Sequence, residues 1–295
     1  MQADKELFRM IVIALALEVI GITPQIELIM DLIGSDYVNS VKFRKNPAIR
    51  EIVDVSSGKF RVKSSILAKF ILMSLEESTL TVETLIEALK GAEARERFNH
   101  THREIFRKLI DHSNVQNVLP ERNRRANTIK YYESIKNLRG TAKNPYFWLQ
   151  YAIARMALKE YKEAEFYFET AYGYAEGTPW FQTYQIDNHY ARLLLEKPVH
   201  DNEPENCMDH FRRAHAILVK QTQEKRRHYA YRVAANYNPF YFHFQSRLGS
   251  KDHDYIMSCC REILNSIIQL PMERKRDRYI LDCKNRLEEV LASGV

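Results

Sequence analysis

Glycine and proline are scarce in this chain, with nine of each in 295 residues. Turn-rich β architectures depend on both, so a sandwich or barrel is disfavoured, and the supply of Leu, Ile, Ala, Glu, Lys and Arg points to helices. Cysteine is also rare. Cys207, Cys259, Cys260 and Cys283 form no C-x-x-C pair, and a vicinal pair is poor geometry for a metal site or an ordinary disulfide. The expectation is four reduced packing thiols in a cytoplasmic protein. Long apolar runs are missing too. Met10 to Leu17 is flanked by Asp4, Glu6 and Glu18, falls far short of a membrane span, and precedes no small-residue cleavage site. A buried core helix is expected there, and no membrane contact.

Nucleotide-binding signatures are absent. Ser57-Gly58-Lys59 lacks the glycine at position 53 and the Ser/Thr at position 60 that a phosphate loop requires, and no G-x-G-x-x-G occurs. His100 and His102 stand in an H-x-H that puts their rings on different sides of a helix, and His112 is too far away to pair with either. These three are expected at the surface or its boundary. His189, Asp187 and Glu169 have no spacing that commends them as catalytic. The expectations are therefore no catalytic, cofactor-binding or metal residues, no cofactor, and no enzymatic activity.

What is present is an ordinary hydrophobic content of 45%, a charged content of 28% and a formal net charge of +6. Residues 4–20 carry a strong helical pattern that Gly21 ends. Thr23-Pro24 opens a second helix to about Ile33, and a third spans Asp36 to Arg44. Residues 51–55 and 59–63 then alternate apolar and polar around Ser56-Ser57-Gly58, which predicts a β-hairpin. Ser64-Ser65 caps the next helix, from Ile66 to about Glu76. These parts compose a winged-helix-like module over 1–78. A helical connector follows over 79–140, in which Glu121 to Arg125 opens a helix.

Residues 141–295 read as degenerate tetratricopeptide-like repeats. Asn144-Pro145 begins one helix, with Trp148, Ala152 and Met156 on one face. A second begins near Tyr161, with Ala164, Phe168 and Ala171 at intervals of four and three. Antiparallel helices approach closely only where small side chains stand at the crossing, and large ones fill the space beside it. Five of eight tetratricopeptide positions match over about 34 residues; Tyr151, Arg155 and Glu176 depart from the pattern. Tyr190-Ala191 and Cys207, Phe211 and Ala214 echo the motif across a polar loop at 197–205. A charged helix from Arg274 to Leu291 suits a terminal cap. The fold class expected is mainly α: a winged-helix-like module with one hairpin, then an α-solenoid.

Two binding readings follow. Tyr146, Tyr184, Tyr190, Tyr229, Tyr231, Tyr237 and Tyr241 either line a groove or bridge helices, and Tyr184, Tyr229, Tyr231, Arg226 and Arg227 are the candidates for contact with a protein partner. The alternative is nucleic-acid binding through Lys42, Arg44, Lys45, Lys59, Arg122, Arg124 and Arg125, or through an aromatic-and-basic groove.

The segments Asn46 to Leu72, Asn144 to Leu158 and Gln185 to Glu196, in this order of modules, resemble the C-terminal half of bacterial signal-transduction ATPases of the STAND type. The resemblance implies a sensing arm that detects a protein partner or restrains an ATPase, in signalling or in antiviral defence. The family's nucleotide-binding segments have no counterpart in this sequence, so the ATPase is expected either upstream or as a separate protein.

Overall fold

A computed structural model describes residues 2–34, 53–56, 59–62, 64–223 and 228–294. The chain is mainly helical and divides into two compact units, Met1–Ala154 and Arg155–Val295. Asp36 to Arg44, with Lys42, Arg44 and Lys45, lies outside the described residues, as do Arg226 and Arg227.

In the first unit, α1 (Gln2–Val19) is the core helix, and Met10, Ile13, Ala14 and Leu15 are almost wholly excluded from solvent. It ends where Gly21 adopts a φ of 72°, a conformation that costs glycine little. Its successor α2 (Ile26–Ile33) begins two residues later than Thr23-Pro24 predicts, after extended Gln25, and closes on Gly34 at φ 63°, whose N–H reaches the Met30 carbonyl. Strands β1 (Val53–Ser56) and β2 (Lys59–Val62) pair antiparallel, with Val53 opposite Val62 and Ser56 opposite Lys59. Ser64 then caps α3 (Ser65–Ser74), its Oγ accepting from the Leu67 N–H at 3.3 Å.

Helices α4 (Ser78–Arg95), α5 (His100–Ile110), α6 (His112–Val118) and α7 (Arg124–Ile135) complete most of this unit. Asn99 and Asp111 supply the side-chain caps of α5 and α6. Helix α2 lies against α4 at Gly91, where a Cβ would collide with the Leu32 carbonyl. Tyr131 and Tyr132 on α7 are fully buried and donate to the carbonyls of Leu109 and Ile110 at 2.9 and 3.1 Å. Asn144 caps α8 (Pro145–Ala157) through the Tyr146 N–H. Tyr151 on α8 stacks on Tyr132 with centroids 4.9 Å apart. The departure from the repeat pattern at Tyr151 therefore fills a core position.

The second unit takes up the chain inside α8. Arg155 and Glu160 form a salt bridge at 2.5 Å with side chains only 12% and 10% exposed, spanning the turn in which Lys159 has a φ of 60°. Helix α9 (Tyr161–Glu176) packs on α10 (Tyr184–Asp201), and α10 packs on α11 (Cys207–Gln223). Ala164, Phe168, Ala171, Ala191, Phe211 and Ala214 are all at 0% exposure. The polar loop expected at 197–205 is shorter than predicted. Helix α10 continues through Pro198 to Asp201, because a proline so near the helix end forfeits one hydrogen bond and is itself buried.

Helices α12 (Tyr229–Ala234), α13 (Tyr237–Phe244) and α14 (Ser250–Ile268) follow. The single terminal helix expected from Arg274 is instead two, α15 (Met272–Lys275) and α16 (Arg278–Ser293). Asp277 divides them by accepting the Tyr279 N–H at 2.8 Å as the N-cap of α16. Helix α16 packs on α12, α13 and α14.

Two substitutions test this packing. Gly91→Ala pushes a methyl group into the α2 backbone and is expected to cost about 1–3 kcal/mol in urea unfolding. Glu160→Gln removes one ion-pair partner of the half-buried Arg155 and is expected to cost about 1–3 kcal/mol. Adding Arg155→Tyr, the residue type the repeat pattern prefers, should restore much of that loss in the same measurement.

Candidate functional site

Two histidines expected at the surface or its boundary are buried instead. His102 is 2% exposed and His112 is 6% exposed. His102 lies on the face of α5 that also carries Ile105, Phe106 and Leu109, so helical periodicity takes its ring into the core. Burial lowers its pKa, opposed by Asp31, whose carboxylate is 3.7 Å away. Burial lowers the His112 pKa to about 4, against Asp111 and with help from Arg124. Its Nε2 lies 2.6 Å from the Gln116 amide nitrogen, and its Nδ1 has no partner among the described residues.

Other groups that could do chemistry are held in structural roles. His215 connects the Tyr237 hydroxyl at 2.9 Å to the Glu262 carboxylate at 3.1 Å. That connectivity would suit a base and its orienting acid, but Tyr237 is at 0% exposure. All four cysteines are free and buried. Burial pushes the thiols of Cys259 and Cys260 up to about 12, so they persist as unreactive thiols at neutral pH. Asp187 accepts from Tyr172, Thr183 and Gln221 and ties three segments together. Among the described residues no three His, Cys, Asp or Glu side chains gather to hold a metal ion, and no helix is long and apolar enough to cross a membrane.

The arginines at the start of α7 separate by environment. Arg122 and Arg125 are exposed, whereas Arg124 is half-buried and donates to the Gln116 carbonyl at 2.8 Å. Arg124 is thus committed to the fold rather than offered to a phosphate.

Most of the tyrosines bridge helices. Tyr146 donates to Asp111 at 2.7 Å, Tyr190 accepts from Arg213 at 2.5 Å, and Tyr241 meets His253 at 3.0 Å. Tyr184 is half-buried. Tyr231 accepts from Ser266 on α14 at 3.4 Å, and Tyr229 and Tyr231 also line a groove. One cavity of about 570 Å3 is walled by Thr222, Tyr229, Tyr231, Leu270, Arg274 and Ile280, among others. A second, of about 350 Å3, is walled by Asn188, Arg192, Tyr229, Arg232, Tyr279 and Arg286, among others. The two share Tyr229, which is 45% exposed.

Charge in the groove is mixed. Arg192 pairs with Glu196 at 2.6 Å and Arg286 with Asp282 at 3.0 Å. Tyr279 has the Arg232 guanidinium 5.0 Å from its ring centroid, Arg278 at 4.5 Å, and His228 stacked at 5.4 Å. The lining residues on α10, α12 and α16 stand far apart in sequence, so no local motif marks the whole groove; the sequence does mark Tyr229 and Tyr231, and His228, Arg274 and Arg276 as the basic residues of an aromatic-and-basic groove, and all five line the larger cavity. No protein-family model, curated protein or solved structure matches the chain.

The buried His112 makes the fold acid-sensitive. Its folded pKa is lower than that of the unfolded chain, so acid protonates the unfolded chain first, and stability is lost as pH falls from 6.5 towards 4. Between neutral pH and pH ~5 its share is about 2 kcal/mol. His112→Gln should reduce the pH dependence of the unfolding free energy by that amount.

Proposed function

We propose that this chain is a non-catalytic protein-interaction module, the sensing arm of a STAND-type signalling ATPase. The observation that carries the reading is the ordered packing of α9, α10 and α11 through alanines at 0% exposure, with an open aromatic-and-arginine groove beside α12 and α16. Packing of this kind supports a tetratricopeptide-like solenoid, an architecture whose concave surfaces hold partners. The helices α1 and α2, the strand pair and the Ser64-capped α3 support a winged-helix-like module ahead of it, the order found in the ATPase family that the sequence resembles. Restraint of an ATPase in antiviral signalling is the role this order of parts suits.

Affinity purification of the tagged full chain from its native cells, with cross-linking before lysis, tests the reading. The expected result is one protein enriched to near-equimolar amount over an unrelated tagged control. No enrichment of any protein, with or without cross-linking, would sink it.

A further inference from the structure

One helix face in the first unit is apolar and uncovered. Helix α3 packs on α1 and α6, and Ala68 and Leu72 on its inner side are at 0% exposure. The opposite side carries Ile66, 82% exposed, and Phe70, 67% exposed, one turn apart. Leu67 beside them is 39% exposed, and the half-buried Met73 continues the row. No other described helix exposes as many large apolar side chains. A contiguous apolar patch of this kind marks a contact site.

Charge selects the occupant. From Val55 to Leu75 the sequence holds Lys59, Arg61, Lys63 and Lys69 and no carboxylate. Within α3, Lys69 is exposed at the rim of the apolar row. Carboxylates come only past the C-terminal end of the helix, at Glu76, Glu77 and Glu121, where the Glu121 N–H donates to the Met73 carbonyl at 2.9 Å. A second copy of this chain would set the cations against their own kind. A nucleic-acid duplex would accept them, but its phosphate-lined surface has no apolar layer for Ile66 and Leu67. A protein interface carries roughly one hydrogen bond per 100–200 Å2, and the exposed polar groups of α3 are only Lys69 and the hydroxyls of Ser65 and Ser74. A fluid anionic bilayer meets both requirements. Its headgroup–acyl boundary takes apolar side chains, and its phosphates take lysines, whose long stems let the ammonium stay in water above a buried apolar row.

We propose that α3 docks the first unit on an anionic membrane surface, with Ile66, Leu67 and Phe70 entering the headgroup–acyl boundary and Lys69 and the basic stretch 59–63 meeting the lipid phosphates. No helix among the described residues is long and apolar enough to cross a membrane, and surface docking needs none. This function goes beyond the interaction reading, whose groove lies in the second unit, and it stands or falls independently.

The test is co-sedimentation of the full chain with vesicles of phosphatidylcholine, alone or mixed with phosphatidylserine, at two salt concentrations. The anionic vesicles should bind at least about tenfold more tightly than the zwitterionic ones, and salt should weaken the binding. Ile66→Ser combined with Phe70→Ser should weaken it about tenfold or more with an unchanged thermal midpoint, since both side chains are exposed. Lys69→Glu should weaken binding to the anionic vesicles about fivefold or more. Failure to sediment with anionic vesicles at low salt, equal binding to the zwitterionic ones, or undiminished binding by the double serine variant would each overturn the proposal. So would a dimer, seen by light scattering, that the double variant dissolves, because a second copy would then cover the face. A cellular protein lost from the purified chain in the double variant, with vesicle binding absent, would assign the face to a protein and overturn it likewise.

Discussion

Close helix approach is the constraint on which the second unit depends. Ala164, Ala171, Ala191 and Ala214 have no side chain beyond Cβ, and all are at 0% exposure. Larger residues there would separate the helices and open voids around Phe168 and Phe211, whose burial stabilises the fold by about 1.5–3 kcal/mol each. The first unit obeys the same rule more severely at Gly91, where even a methyl group has no room beside the Leu32 carbonyl. Tyrosine-rich layers are the complement of this economy. Where small residues bring helices together, rings such as Tyr132 and Tyr151 stack in the space alongside.

Buried polar groups set the second constraint. Tyrosine hydroxyls are satisfied by backbone carbonyls or carboxylates, as at Tyr131, Tyr132 and Tyr172, so each ring contributes apolar area without an orphaned donor. Arg155 and Glu160 form an ion pair across a turn. The histidines are less completely satisfied. His112 keeps its ring neutral through burial, which links the stability of the first unit to acidity.

The groove follows from how α16 meets the rest of its unit. Asp277 interrupts the helical run after α15, and α16 then packs on α12, α13 and α14. The groove beside it is lined by Tyr229, Tyr231 and Tyr279 with arginines from four helices.

The sequence by itself determined the helical class, the core helix around Met10 to Leu17, the helix ends at Gly21 and Gly34, the cap at Ser64, and the four-and-three spacing of core residues on α9 and α11. All of these are local: a period, a cap or a conformational preference within a few residues specifies each. Tertiary structure alone decided the burial of His102 and His112, the continuation of α10 through Pro198, the engagement of Arg124, the pairing of Arg155 with Glu160, and the groove. Those outcomes turn on which side chains meet across helices distant in sequence. A residue's type states what it can bond, but only the packed neighbours fix whether it faces water, a partner charge or a cavity.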